Sequence, residues 1–377
     1  MPLRRWLIAG LLVCLVAVGI VAAVGWAYFH PRFNWRRGIA YGERQGETLT
    51  LDVLTPSAPN GLGIVFLVSG GWKSGTESFR PWLMAPLLRH GYTVLPVYHV
   101  SQPTATVDEI FADVSRAVRF IRGHAAELGV DPDRLGVSGG SAGGHLSLML
   151  ATTGGAGPAD ADDPIADTSS AVQAAAVFCP VTDLTNLRGS TEDTGDGGPP
   201  RSFLRAFDQD PVDMPRWRLT AAELSPLLHV TGEMPPVLIH HGDRDTLVPL
   251  DQSVRFRDRA AAVGGDVTLV TVAGAGHTWL LMPWHIAQCA AWFDTRLATP
   301  GRNRPLGRGL SPAAVQSPVP GFSEPAENSA NASRSSHPIR NCRSGSSWAA
   351  RTRYASSPSA LMSTSSVKSL RSCCTRP

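Results

Sequence analysis

At 377 residues the chain has room for one large domain or two ordinary ones. Its formal charge of +3 comes from the last stretch: residues 301–377 hold Lys368 and ten arginines against Glu324 and Glu327, which leaves −6 on the rest and excludes a basic, nucleic-acid-binding reading of the main body. The six cysteines, Cys14, Cys179, Cys289, Cys342, Cys373 and Cys374, show no C-x-x-C or ligand-like spacing, which excludes a disulfide framework or a zinc centre as the organising device.

Residues 1–37 form the first region. Trp6–Phe29 is an uninterrupted apolar run of 24 residues, preceded by Arg4 and Arg5 and followed by His30, Arg32, Arg36 and Arg37. As a helix it would be about 36 Å long, enough to cross a hydrocarbon core of about 30 Å with some tilt. Trp6, Trp26, Tyr28 and Phe29 sit at its ends, where interfacial aromatics belong. The favoured reading is an uncleaved single-pass anchor, with the membrane as partner through Trp6–Phe29. Val21-Ala22-Ala23 supports the rival, a signal peptide cleaved before secretion. Both flanks are basic, so charge leaves the orientation open. Placement at the extreme N-terminus, as in signal anchors, points to a main domain outside the cytoplasm.

Residues 38–299 alternate strand and helix. Strands are predicted at 47–53, 63–68, 92–97, 134–138, 172–178, 237–241 and 266–272, several of them continuous apolar runs, as strands covered on both faces should be. Helices are predicted at 105–128, 142–152, 250–262 and 284–298. The alternation predicts an α/β fold, a mostly parallel central sheet with helices on both faces. Residues 154–170 read as a surface loop. Residues 181–233, with proline, glycine and charge, read as a small cap insertion over the site. From Pro300 the composition changes abruptly, and 300–377 reads as a disordered basic tail rich in serine, arginine and proline.

One pentapeptide stands apart. Gly139-Gly140-Ser141-Ala142-Gly143 fits G-x-S-x-G, with a short strand before it and an apolar helix after it. A serine on such a turn is held in a sparsely populated backbone conformation with its hydroxyl exposed, and the flanking glycines let strand and helix approach. Phosphate-binding readings of these glycines fail. No run supplies glycines at i, i+2 and i+5 for a dinucleotide, and Trp72-Lys73-Ser74 lacks the glycine a P-loop needs before its lysine.

Ser141 alone is a weak nucleophile and needs a base and a group to orient that base. His277, just after one strand, is the candidate base. Asp245, four residues past another, is the candidate orienting carboxylate, with Asp243 as its competitor. Ser, Asp, His is the chain order of α/β-hydrolases. Oxyanion donors are expected from Ala142 N–H and from the glycine loop 68–75. His240, His241, Asp243 and Asp245 do not read as a metal set, because consecutive strand residues point to opposite faces and H-E-x-x-H is absent. His145, Asp113 and Arg119 read as scaffold, and no cofactor is implied.

Several motifs together resemble a known family. Tyr41-Gly42 with Leu51-Asp52-Val53, Ser69-Gly70-Gly71-Trp72, Gly139-Gly140-Ser141-Ala142-Gly143-Gly144-His145, Ser225-Pro226-Leu227-Leu228-His229-Val230, His241-Gly242-x-x-Asp245-x-x-Val248-Pro249 and Gly274-x-Gly276-His277 look like a serine esterase of the α/β-hydrolase superfamily. The similarity is to its bacterial feruloyl-esterase-like branch, related to hormone-sensitive-lipase-type esterases, and runs over about 39–297. It implies a triad of Ser141, Asp245 and His277 with oxyanion donors Gly70, Gly71 and Ala142. It also implies hydrolysis of small-molecule carboxylic esters, short-chain or aryl, through an acyl-enzyme. Amide or peptide hydrolysis of a formamidase or prolyl-peptidase type would use the same triad, and an inactive membrane-tethered binding module would not use it at all. The family pattern usually reads His-Gly-Gly-Gly-Trp in the oxyanion loop, whereas Val68 and Ser69 stand here for the histidine and first glycine. The supporting hydrogen bonds of that loop must therefore differ.

Overall fold

Eight strands share one sheet, and their order follows from what each must bury. The computed structural model describes residues 2–157, 163 and 165–297, so the expected 300–377 tail lies outside the described residues. After helix α1 (Pro2–Phe29) come β1 (Phe33–Arg44), β2 (Glu47–Pro56), β3 (Gly63–Leu67), α2 (Ala85–Arg89) and β4 (Thr93–Val97). Then follow α3 (Val107–Gly123), α4 (Ala125–Leu128), β5 (Leu135–Gly140), α5 (Ala142–Thr153) and β6 (Ala174–Phe178). The last are α6 (Met214–Glu223), β7 (Val237–Gly242), α7 (Asp251–Ala262), β8 (Val267–Val272) and α8 (Met282–Leu297).

The sheet order is β1-β2-β4-β3-β5-β6-β7-β8. β1 and β2, and β2 and β4, pair antiparallel; every later pair is parallel. The expected mostly parallel α/β sheet is therefore present. Alternating side chains divide between two cores: Val65, Leu95 and Ile239 face one, Ile64, Val94 and Leu238 the other. Helices α3, α5 and α7 close the first through Ile110, Val114, Leu146 and Phe256. Helices α2 and α8 close the second through Leu87, Leu88, Cys289 and Phe293.

The chain departs from expectation where its pattern is weak. β1 is not among the expected strands, because Arg36, Arg37 and Gly38 interrupt its apolar residues on a sheet edge where half the positions are exposed. The single helix expected at 105–128 is divided at His124 into α3 and α4. A capping box at Thr106 and Glu109 sets the start of α3. In α1, the window Trp6–Phe29 has mean hydropathy 3.0 and none of it is buried. By length and composition it is able to cross a membrane, as either an anchor or a signal sequence would be.

Candidate active site

β5 ends in the turn that carries Ser141, and the residues around it explain why only glycine serves at two positions. A Cβ on Gly139 would stand 2.5 Å from the Gly143 carbonyl carbon and oxygen, and one on Gly143 would stand 2.5 Å from the Leu67 carbonyl oxygen. Ser141 itself has φ 55° and ψ −121°, a conformation that costs an L-residue of order 1–3 kcal/mol. Two backbone bonds hold it there. Ser141 N–H donates to the Phe178 carbonyl (2.9 Å), and Gly143 N–H donates to the Ser69 carbonyl (3.0 Å).

Three residues far apart in the chain meet at the carboxyl ends of β5, β7 and β8, where α/β sheets bind ligands. His277 Nε2 lies 2.9 Å from Ser141 Oγ, and His277 Nδ1 lies 2.7 Å from Asp245 Oδ2. With Nδ1–H given to the carboxylate, Nε2 is left to accept the Ser141 hydroxyl proton. Asp245 is buried, and its other oxygen accepts the N–H groups of Leu247 (3.0 Å) and Val248 (2.9 Å). Burial opposes its ionisation, but hydrogen bonds from His241, His277 and Val248 more than offset that and hold the carboxyl well below the usual carboxylate range. Burial likewise would depress His277, yet the Asp245 carboxylate and the nearby Cys179 sulfur leave it raised above the ordinary imidazole value. The competitor, Asp243, accepts instead from Gly274 N–H at 2.7 Å.

Gly71 and Ala142 border the same narrow pocket as Ser141, together with Trp72, Val181, Leu184, Phe203, Leu247 and Val248. Ala142 is the first residue of α5, so its N–H has no intrahelical acceptor. Gly70 differs from the expected set. Its N–H donates to the Lys73 carbonyl (2.9 Å) and its carbonyl accepts from Lys73 N–H (3.0 Å), which closes a tight turn. Gly71 and Trp72, the central residues, both have φ of 55°, the mark of a type I′ turn. Trp72 tolerates that strain because its ring is locked: Nε1–H donates to His145 Nδ1 (3.2 Å), and Phe203 and Phe207 pack edge-on at 5.3 and 5.1 Å. His145 in turn donates Nε2–H to the Leu224 carbonyl (2.8 Å), and burial pushes it down to about 4, so it stays neutral scaffold.

His240 and His241 point to opposite faces, as strand alternation requires: His240 meets Gln288 of α8, and His241 meets Ser253 of α7. His241 Nε2–H donates to the Val248 carbonyl (2.7 Å) and lies 3.4 Å from Asp245 Oδ2, which ties together the residues of the His241–Pro249 motif. Cys179, Asp245 and His277 offer ligand-capable atoms within 4.8 Å of one another. Asp245 and His277 spend theirs on each other, so the trio belongs to the surroundings of Ser141.

The loop 68–75, expected to supply oxyanion donors, has its own support, unannounced by any motif. Buried His99 donates Nδ1–H to the Val100 carbonyl (2.8 Å), which leaves Nε2 to accept the Ser69 hydroxyl at 2.9 Å. Burial pushes His99 down to about 4, so the pair is neutral. Ser69 thereby links His99 to the carbonyl that steadies Gly143. Ser69→Ala would strand a buried imidazole nitrogen and should cost about 1–3 kcal/mol of unfolding free energy. Urea denaturation measures this, and an unchanged midpoint would show that the bond carries nothing.

A mostly parallel sheet covered on both faces, with a strained serine after its fifth strand and a carboxylate and an imidazole after its seventh and eighth, defines an α/β-hydrolase fold. A family model described as BD-FAE matches residues 51–259. The chain belongs to that family. It is similar to the probable carboxylic ester hydrolase LipM of Mycobacterium tuberculosis, 32% identical over 60% of this chain and 51% of LipM. It is also similar to the isoprenylcysteine α-carbonyl methylesterase ICME of Arabidopsis thaliana, 26% identical over 69% of this chain and 60% of ICME. The chain therefore spans only about half to two thirds of the length of these curated relatives. Among solved structures, the propionate-bound esterase Est2 of Thermogutta terrifontis aligns with a TM-score of 0.55 at 26% identity, covering 71% of this chain and 94% of that one.

Proposed function

We propose that this protein is a carboxylic ester hydrolase that works through an acyl-enzyme on Ser141. The observation that carries the reading is the relay from Ser141 Oγ through His277 to Asp245, with steps of 2.9 and 2.7 Å. Oγ attacks the ester carbonyl carbon while its proton passes to His277 Nε2. Charge developing on the carbonyl oxygen is met by Ala142 N–H and Gly71 N–H, dipoles already aimed before reaction. Collapse expels the alcohol, which takes its proton from His277. Water then enters by the same route, with His277 as base, and releases the acid. Asp245 keeps its charge throughout, and orients and stabilises the imidazolium.

The pocket beside Ser141 supports a short acyl group. Its volume of about 70 Å³ is lined almost wholly by apolar side chains. Purified protein should therefore release nitrophenolate from p-nitrophenyl acetate and butyrate, with kcat/KM falling about tenfold or more for the dodecanoate. It should leave the matching anilides nearly untouched. Faster turnover of anilides than of esters would favour amide hydrolysis with the same residues, and no turnover of either would favour a binding module.

The helix α1 supports, by length and composition, a single-pass anchor holding the hydrolase at a membrane.

A further inference from the structure

Four large apolar side chains are exposed on or beside the elements that cover one face of the sheet. Leu280 is 92% exposed, Leu281 64%, Trp284 66% and Trp82 42%. Leu280 and Leu281 lie three and four residues beyond His277, in the turn that leads into α8, and Trp284 is in the first turn of that helix. Trp82 precedes α2, which shares with α8 the core on one face of the sheet. On that same face the end of α1 is tied down. Arg89 of α2 donates Nε–H to the Tyr28 carbonyl (2.7 Å) and a second N–H to the Ala27 carbonyl, satisfying carbonyls that a helix end leaves open. Phe29 packs edge-on against Trp82 at 6.0 Å. The turn Pro81–Met84 that carries Trp82 also packs against α8, whose first turn holds Trp284, so the segment long enough to enter a bilayer adjoins the α2–α8 side of the domain. Exposed Arg80, two residues before Trp82, adds positive charge suited to anionic headgroups.

We propose that this face, Trp82 with Leu280, Leu281 and Trp284, rests on the surface of the anionic bilayer that α1 enters, and that the site takes esters partitioned into that bilayer. The inference rests on the esterase reading for its substrate half and on the anchor reading of α1 for its docking half. Tryptophan at the rim and leucines dipping into the acyl boundary are the side chains an interface favours. Leu280, Leu281 and Trp284 follow His277 closely in the chain, so docking through them sets the His277 side of the site toward the lipid, where an ester need cross little water.

The test uses the full chain in phosphatidylcholine–phosphatidylglycerol vesicles with two substrates: water-soluble p-nitrophenyl acetate, and hexadecyl acetate carried in the bilayer. A Leu280→Asp/Leu281→Asp double variant should keep kcat/KM on the soluble ester within about twofold and lose about tenfold or more on the bilayer ester. Equal effects on both substrates, or none on either, would overturn the proposal. A second measurement needs no catalysis. Brominated lipid should quench part of the tryptophan emission of the wild type, and Trp284→Phe should lower the quenched fraction; an unchanged fraction rules docking out. Should the wild type hydrolyse neither ester, the esterase reading fails while the quenching still decides the docking.

Discussion

Replacing Ser141 by alanine is expected to lower kcat/KM for p-nitrophenyl acetate by roughly 10⁴-fold or more, and to abolish covalent labelling by a fluorophosphonate. The expected loss is this large because Oγ is the atom that forms the intermediate, and the backbone donors retain only their share of the work. The same position allows a check independent of rate. At φ 55° and ψ −121° the residue is strained whether it is serine or alanine, so Ser141→Ala should melt at the wild-type temperature. Ser141→Gly relieves strain of order 1–3 kcal/mol, partly offset by the larger unfolded-state entropy of glycine. It should therefore melt above Ser141→Ala while being equally inactive. A residue kept at a conformational cost that glycine would remove is one retained for its hydroxyl. If Ser141→Ala kept most of the activity, the acyl-enzyme reading would fall.

The elements that the sequence made legible are those whose burial dictates a pattern. β3, β4, β5, β6 and β7 are nearly continuous buried runs, and each was expected within a few residues of its observed bounds. β1 is an edge strand whose exposure follows no clean alternation. α2 has only five residues, and α6 lies in the expected cap insertion 181–233, where proline, glycine and charge obscure any helical period. The site divides in the same way. Ser141, Asp245 and His277 each sit in a local motif, because a nucleophile turn and short post-strand loops constrain their neighbours in sequence. His99 and Cys179 have no such signature, and His241 opens the Asp245 motif without any sign there of the contact it makes. They matter through contacts with Ser69, Asp245 and the His277 carbonyl, which only the folded chain creates. Gly70 shows the limit of transferring a motif. Its residue type matches, but the turn it closes with Lys73 spends the N–H that a donor would need.

The second large effect is expected at Asp245, where Asp245→Asn should cut kcat by about 10⁴-fold on the p-nitrophenyl ester with little change in KM. An asparagine amide turned toward His277 Nδ1 would donate to it. The imidazole would then carry its proton on Nε2, the atom that must accept from Ser141. The pH profile separates this from a loss of packing. His277 acts as a base only when neutral, so wild-type kcat/KM should fall as pH drops through its pKa. Asp245 holds that pKa above the ordinary value of about 6.5. Removing the negative charge destabilises the imidazolium, so the acid limb should move to lower pH in the variant. Stability follows from the same pair. The depressed Asp245 carboxyl contributes above its unfolded value of about 3.9, and the contribution is lost as pH falls through its folded pKa. The raised His277 contributes fully below about 6.5, and that is lost as pH rises through its folded pKa. The wild type should thus gain most over Asp245→Asn between about pH 4 and 6.5. Thermal melts across that range measure it, and parallel curves for the two proteins at every pH would mean that the carboxylate and the imidazole are not coupled.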